Sequence, residues 1–401
     1  MKILQIFNRV PWPPKDGGAI AMLNMARGFQ KFGVDLKITA LNTNKHFISP
    51  DALPADFPGN GKPALTFINT DIKPFDAFLN LFTDKSYNVE RFYSLAFAES
   101  LRDLLTENQF DIIQFEGLHI TRYFDIVRQY SKAPIILRAH NVEYIIWERL
   151  AQAGKTGLKK SYVNLLAKRI KKYETDIITR VDGIVAITEN DREVFQIMGC
   201  QSPIYVAPTG VDLDKYVIDH NNLEWPSVFH LGALDWLPNQ QAVDWFLEDI
   251  WPKVFAKHPN VKFYLAGRYM PDRFRQLNIP GVVVAGEVPD GISFSNSKAI
   301  MVVPLLSGSG MRIKIIEGMA LGKAIVSTSI GAEGIECTHR KDIMIADTAE
   351  AFAEALSTLI THKTQSESLG QNASQLVAEK YNNDSIVKGL VEWYGEEFKK
   401  Q

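Results

Sequence analysis

The sequence predicts an α/β protein made of two doubly wound halves, on three observations. Short β-branched runs alternate with longer helical stretches along most of the chain. That pattern implies mostly parallel sheets with helices on both faces. The alternation comes in two series, separated between Pro208 and Pro226 by a segment rich in Asp and Asn that has no sustained period. The chain is 401 residues long, and at roughly 100–200 residues per domain that is too much for one.

In chain order, Ile3–Phe7 reads as the opening strand, followed by a Pro/Gly-rich loop and a helix from about Ala19 to Phe32. Strands follow at Asp35–Leu41, Asp111–Phe115, Pro134–Arg138, Gly183–Thr188 and Ile204–Ala207. Glu189–Met198 reads as a helix capped by Thr188 and stopped by Gly199. The second series has strands at Ser227–Leu231, Val261–Ala266, Val282–Ala285, Ala299–Val303, Ala324–Ser327 and Ile343–Ala346. Its helices are Gln240–Phe255, Met311–Leu321 and Ala349–Thr361, and Asn383–Lys400 closes the chain as another helix.

Composition narrows the function classes. Hydrophobic residues make up 46% and charged residues 22%, as in a globular chain. Forty-four Lys and Arg against 46 Asp and Glu leave a charge of −2, with no global pull toward nucleic acid. Two cysteines, Cys200 and Cys337, exclude a disulfide framework and a cysteine-rich zinc site, and they fit a reducing cytosol. No run approaches the roughly 20 apolar residues of a membrane-spanning helix. MKILQIFNRV is too short and too polar at its end for a signal peptide. The expected location is cytoplasmic, with peripheral attachment at the inner membrane face as an addition.

That addition comes from one local asymmetry. KTGLKKSYVNLLAKRIKK, from Lys155 to Lys172, holds seven Lys or Arg and no acid. Leu158, Tyr162, Leu165, Leu166, Ile170 and Tyr173 recur at helical spacing, so residues 155–173 form a basic amphipathic helix. Such a helix can lie on an anionic membrane surface. Alternatively, it packs its apolar stripe on its own sheet while the lysines solvate the outside.

Ligands of open α/β sheets bind beyond the carboxyl ends of strands, so the loops there carry the candidates. Gly17 and Gly18, after the first strand, let backbone approach a ligand at a helix N-terminus, or else form an ordinary turn. His140, in RAHNVE, can bond a ligand or move a proton near neutral pH, or be a satisfied structural histidine. His119, with Glu116 nearby, is a weaker candidate of the same kind. The richest stretch runs from Pro304 to Gly334. Ser307, Gly308, Ser309 and Gly310 can form an anion-binding nest before a helix. Arg312 and Lys314 then sit in that helix's first turn, where the dipole disfavours cations, which hints at a phosphate. Glu317 lies three residues after Lys314, so a plain i, i+3 ion pair on a solvated helix is the alternative.

This stretch, SGSGMRIKIIEGMA, resembles the donor-site signature of retaining family 4 glycosyltransferases, whose architecture is the two-domain GT-B fold. PWPPKDGGAIAMLNMARGF, LRAHNVEY, VAITENDREVF, APTGVDLDKY, FHLGALDWLPNQQAVDWF and FYLAGR match other family segments in the same order. The resemblance implies two Rossmann-like domains facing a central cleft. The first, residues 1–215, binds the acceptor and takes back the C-terminal helix 383–401. The second, residues 226–382, binds the nucleotide-sugar donor.

The same resemblance implies roles for residues. Glu317 matches the second glutamate of the family's E-x7-E motif, the one that bonds donor ribose hydroxyls. The first glutamate falls at Ser309, so that half is missing. The family's diphosphate-binding Arg and Lys are absent from the loop Gly232–Asn239, which leaves Arg312 and Lys314, helped by Arg268, as substitutes. His140 matches the active-site histidine near the transferring sugar, and Gly17 and Gly18 the loop that meets donor phosphate and acceptor. The implied reaction moves a sugar from a nucleotide diphosphate to the hydroxyl of a glycan or lipid-linked acceptor, retains the anomeric configuration, and needs neither metal nor cofactor. A catalytically silent nucleotide-sugar binder and a nucleotide-sugar epimerase are the alternatives.

Overall fold

A computed structural model describes residues 1–14, 16–153, 157–219, 221–308 and 310–398. The chain divides into two compact units, Met1–Gly210 with Asn383–Gln401, and Val211–Asn382.

The first unit is built on seven strands: β1 (Lys2–Phe7), β2 (Asp35–Thr43), β3 (Ala64–Ile68), β4 (Ile112–Glu116), β5 (Ile135–Ala139), β6 (Gly183–Ala186) and β7 (Ile204–Val206). They pair in the order β3-β2-β1-β4-β5-β6-β7, every pair parallel. Parallel strands need helices on both faces, and β1 shows how the sequence supplies them. Leu4 and Ile6 pack with Phe97, Leu101, Ile170 and Ile177 on one side. Ile3 and Phe7 pack with Met22, Phe29, Val387 and Leu390 on the other. The second group brings helix Gly17–Lys31 against helix Asn383–Glu397. The fit is close: a Cβ at Gly28 would sit 2.5 Å from Val387. Asn383 adds a hydrogen bond to the Asn24 carbonyl, 3.0 Å.

The second unit has six parallel strands: β8 (Glu224–Leu231), β9 (Lys262–Ala266), β10 (Val282–Gly286), β11 (Lys298–Val303), β12 (Ala324–Ser327) and β13 (Met344–Ile345). Their order is β10-β9-β8-β11-β12-β13. The same period-two division recurs. Val228 and Val302 join Phe246, Trp251 and Phe352, while Phe229 and Val303 join Ile315, Ile316 and Val377. In each sheet the order reverses once, at β1/β4 and at β8/β11. The carboxyl ends beside those reversals are where such sheets leave room for ligands.

Several expectations change. No element is expected between Leu41 and Asp111, where β3 and helix Leu95–Glu107 stand. The helix expected at Gln240–Phe255 begins at Leu237 and is interrupted by a π-turn over Phe246–Ile250, before Pro252. The strand expected at Ile343–Ala346 shrinks to two residues. The helix expected to start at Met311 starts at Ile313, with Arg312 as its extended N-cap, so Arg312 precedes the first turn. Thr188 does cap its helix, accepting from the Asp191 amide at 3.0 Å. Of the basic segment, Lys155 and Thr156 lie outside the described residues. Helix Leu158–Ile178 buries Leu166, Ile170 and Ile177 in the first unit's core and leaves Lys168, Lys171 and Lys172 outside. Its apolar stripe is therefore not a lipid-facing surface. Among the described residues no helix is long and apolar enough to cross a membrane.

Candidate active site

In the first unit the candidate residues gather at the ends of β1, β4 and β5. Glu116, the last residue of β4, is fully buried. Its carboxylate accepts from Gln5 Nε2 at 2.9 Å, Arg138 Nη1 at 3.2 Å and His140 Nε2 at 2.8 Å, and from Gln114 as well. Burial pushes its pKa up, but Arg138 and His140 outweigh that and hold it below the ordinary carboxylate range. An ionised carboxylate can only accept, so Nε2 of His140 carries the proton. In the tautomer with that proton on Nε2, Nδ1 is the ring's acceptor.

The loop that carries His140 is fixed from below by Glu174. That buried carboxylate accepts from the backbone amides of Glu143 and Tyr144, both at 2.9 Å. It thus caps helix Glu143–Ala153, and burial pushes its pKa up to about 8.

Gly17 and Gly18 open helix Gly17–Lys31, which Asp16 caps by accepting from the Ala19 amide. Arg9 is ion-paired to Asp16, and a Cβ at Gly18 would sit 3.0 Å from Arg9 Nη2. His119 is not in this cluster. Its ring packs against Phe92, with centroids 5.0 Å apart.

In the second unit the candidates converge on the loop after β8. Lys314 Nζ donates to Asn239 Oδ1 at 2.9 Å. The Arg312 guanidinium lies 5.2 Å from the Trp236 ring centroid. A Cβ at Gly232 would sit 3.1 Å from Lys314 Nζ, 3.2 Å from Asn239 Nδ2 and 3.3 Å from His230 Nε2. The two cations missing from this loop in sequence thus reach it from the start of helix Ile313–Ala320. Burial, reinforced by Arg312, lowers the Lys314 pKa to about 7. His230 donates from Nδ1 to the Val302 carbonyl at 3.1 Å, and burial with Lys314 nearby lowers its pKa to about 3. Its Nε2 has no hydrogen-bond partner among the described residues.

Glu317 accepts from Tyr216 Oη at 2.7 Å. It does not pair with Lys314, because Asn239 takes the ammonium. Burial raises its pKa against the opposing Tyr216 bond. Gly308 and Gly310 both take positive φ, 123° and 79°, while Ser309 lies outside the described residues. At φ 123° any side chain on Gly308 would strain the backbone, and its Cβ would also displace Arg312 Nη2. Arg268 lies in the loop two residues past β9, its carbonyl accepting from the Leu234 amide at 2.9 Å, and Tyr269 behind it adopts φ 53°. Gln5, Glu116, Tyr216, His230, Gly232 and Asn239 were not legible as one set. Of these, Glu116 carried a signal as an acid at the end of an apolar run, while Tyr216, His230, Gly232 and Asn239 lie in segments that carry the family resemblance.

Residues 15–215 match the profile of Glycosyltransferase Family 4, and residues 226–362 that of Glycosyl transferases group 1. An uncharacterized 44.6 kDa protein in the cps region of Klebsiella pneumoniae is 21% identical over 299 residues, 72% of this chain and 76% of that protein. A phosphatidyl-myo-inositol mannosyltransferase of Mycolicibacterium smegmatis is 24% identical over 57% of this chain and 56% of its own. Among solved structures, sucrose-phosphate synthase from Thermosynechococcus elongatus superposes with a TM-score of 0.73 at 14% identity, covering 99% of both chains. HepE of Anabaena in complex with UDP gives 0.70 at 12% identity, covering 99% of this chain and 100% of its own. These likenesses are of fold, and the fold is GT-B.

Replacing Glu116 by Gln leaves the buried Arg138 guanidinium without its countercharge. The first unit should lose about 3–5 kcal/mol, read from its denaturant midpoint and slope. A loss below about 1 kcal/mol means the pair is not what holds these strand ends.

Proposed function

The chain belongs to glycosyltransferase family 4, and we propose that it moves a sugar from a nucleotide diphosphate to an acceptor hydroxyl with retention of anomeric configuration and without a metal. The observation that carries this reading is the convergence of Arg312 and Lys314 on the loop after β8, the place where the resemblance calls for diphosphate-binding cations. Two cations of the chain's own supply charge-assisted hydrogen bonds to the diphosphate, and they stabilise the charge that grows on it as the sugar leaves. Glu317, oriented by Tyr216, accepts from the ribose hydroxyls. His140, oriented by Glu116, accepts at Nδ1 from a hydroxyl of the transferring sugar. Gly17 and Gly18 present backbone to the donor phosphate and the acceptor, Arg268 assists at the diphosphate, and Gly308 and Gly310 border the sugar. The departing phosphate takes the acceptor's proton, so no protein nucleophile is required.

The pathway we propose is polysaccharide or glycolipid synthesis at a membrane surface. The mannosyltransferase likeness supports a glycolipid. The surface of the first unit supports the membrane. Beside the lysines of helix Leu158–Ile178, residues 72–82 expose Ile72, Phe75, Phe78 and Phe82, with Phe82 77% accessible. Arg169 ties that segment to the helix by donating to the Asn80 and Leu81 carbonyls at 2.9 and 3.1 Å.

Three outcomes test these statements. First, the nucleotide-sugar that binds best in a thermal-shift panel should be consumed equally with and without EDTA and give a product of unchanged anomeric configuration by NMR. Glu317→Ala should weaken its binding about tenfold or more, while His140→Ala should spare binding and lower turnover about 100-fold. Slow hydrolysis of that donor without acceptor distinguishes the enzyme from a silent binder. Second, a diphosphate favours protonated Lys314, so donor affinity should be highest below pH 7 and fall as pH rises through 7, by up to about tenfold per unit. Lys314→Arg should flatten that slope. Third, vesicles with anionic lipid should sediment the protein and neutral vesicles should not. Equal sedimentation with both overturns the membrane reading.

A further inference from the structure

The first unit holds a polar cavity that the roles assigned so far do not use. It measures about 670 Å³ and opens at the carboxyl ends of β1, β2 and β3. Its lining includes Arg9, Thr43, Lys45, His46, Arg91 and a single acid, Asp71. Arg9 is balanced by its ion pair with Asp16 beside the cavity, but Lys45 and Arg91 against Asp71 still leave the lining net positive, which biases it toward anions.

The hydrogen-bonding inventory points the same way. Thr43 is 3% exposed, and its Oγ1 has no partner among the described residues. Arg91 donates from Nη1 to the Thr70 carbonyl at 3.2 Å, while its buried Nε likewise has no partner among the described residues. Arg9 Nη1 lies 3.3 Å from His46 Nε2. A guanidinium can only donate, so Nε2 accepts and Nδ1 of His46 carries the proton. Burial, with Arg9 and Lys45 adding to it, outweighs the nearby Asp16 carboxylate and lowers the His46 pKa. The lining is thus rich in donors, and two of its buried polar atoms lack partners of the chain's own. Such atoms are costly to bury unless a ligand satisfies them.

We propose that this cavity binds a phosphate-type anionic group carried by the acceptor. The inference rests on the glycosyltransferase reading and deepens it by naming the acceptor's charge. Position supports the link to the acceptor. Asn8, another lining residue, lies with His140 against Gly117: a Cβ there would sit 3.3 Å from Asn8 Nδ2 and 3.7 Å from His140 Cδ2. An anion held among Arg9, Lys45, His46 and Arg91 therefore places the rest of its molecule near the histidine assigned to transfer. Ile72 stands at the cavity lip and begins the exposed apolar run, which suits an acceptor whose anionic group continues into a hydrocarbon chain.

The probe is glycerol 3-phosphate, with glycerol as the neutral control, and the reporter is the His46 ring proton in NMR, assigned with His46→Gln. Binding should raise the His46 pKa and shift its signal saturably, and glycerol should do neither. Arg91→Gln should weaken the effect about tenfold and Lys45→Gln about threefold. Lys45 is exposed, so its variant leaves folding intact. A second arm presents the same phosphate as phosphatidic acid in phosphatidylcholine vesicles. A response to both probes means the phosphate alone suffices, and a response to vesicles alone means it arrives on lipid. No response to either overturns the proposal. Donor binding, measured on the same sample, separates the two failures. If the donor binds and His46 is silent, only the anionic cavity falls, whereas loss of donor binding strikes the transferase reading itself.

Discussion

The first unit depends on one buried ion pair. Glu116 and Arg138 are 0% and 1% exposed, and each would cost several kcal/mol alone in the interior. They stand opposite one another in register, so the pair forms only if β4 and β5 align as they do, and β1 is tied to the same carboxylate through Gln5. Slipping one strand by a residue would turn each of its side chains to the other face and strand a charge. Gln5 and Gln114, also opposite one another, complete the carboxylate's hydrogen bonds, and Arg138 reaches the Ala21 carbonyl at 3.2 Å. One network therefore sets strand register, anchors helix Gly17–Lys31 and orients His140. The interaction that fixes the sheet is also the one that prepares the candidate site.

The second unit meets a different constraint, the close approach of two strand-following loops. A Cβ on Gly267 would fall 1.8 Å from the Gly232 carbonyl, so neither loop has room for a long side chain there. The positive charge arrives from the far side of the strand-order reversal instead, on Arg312 and Lys314. The energetic signature is plain. Lys314 and His230 are both pushed toward their neutral forms and Glu317 toward its protonated form. In such a cluster the proposed diphosphate would make the ammonium favourable again.

The basic helix shows how a composition signal divides between roles. Its apolar stripe belongs to the core, and its lysines pair with Glu148 and Asp84 at 3.2 and 3.0 Å. Exposed ion pairs of this kind contribute little to stability. What distinguishes the surface is the neighbouring run of exposed phenylalanines, which lies in a stretch where the sequence pattern suggests no element at all.

Most of the strands, their alternation with helices and the two-unit plan were legible in the sequence, because buried parallel strands are continuous apolar runs and cap residues such as Thr188 act locally. β3 was not, since it is a half-exposed edge strand without such a run. Of the candidate site, His140, Arg312, Lys314 and Glu317 stood out as polar residues at the ends of apolar runs. Their partners did not. Tyr216 lies 101 residues from Glu317, Asn239 75 from Lys314, and Gln5 111 from Glu116. Burial periodicity and capping act within a few residues, so the local pattern already tells which segments are buried and which residue types wait at their ends. Which charge meets which is settled in three dimensions, because a buried charge must find its partner in space, and strand order, not chain distance, brings that partner near.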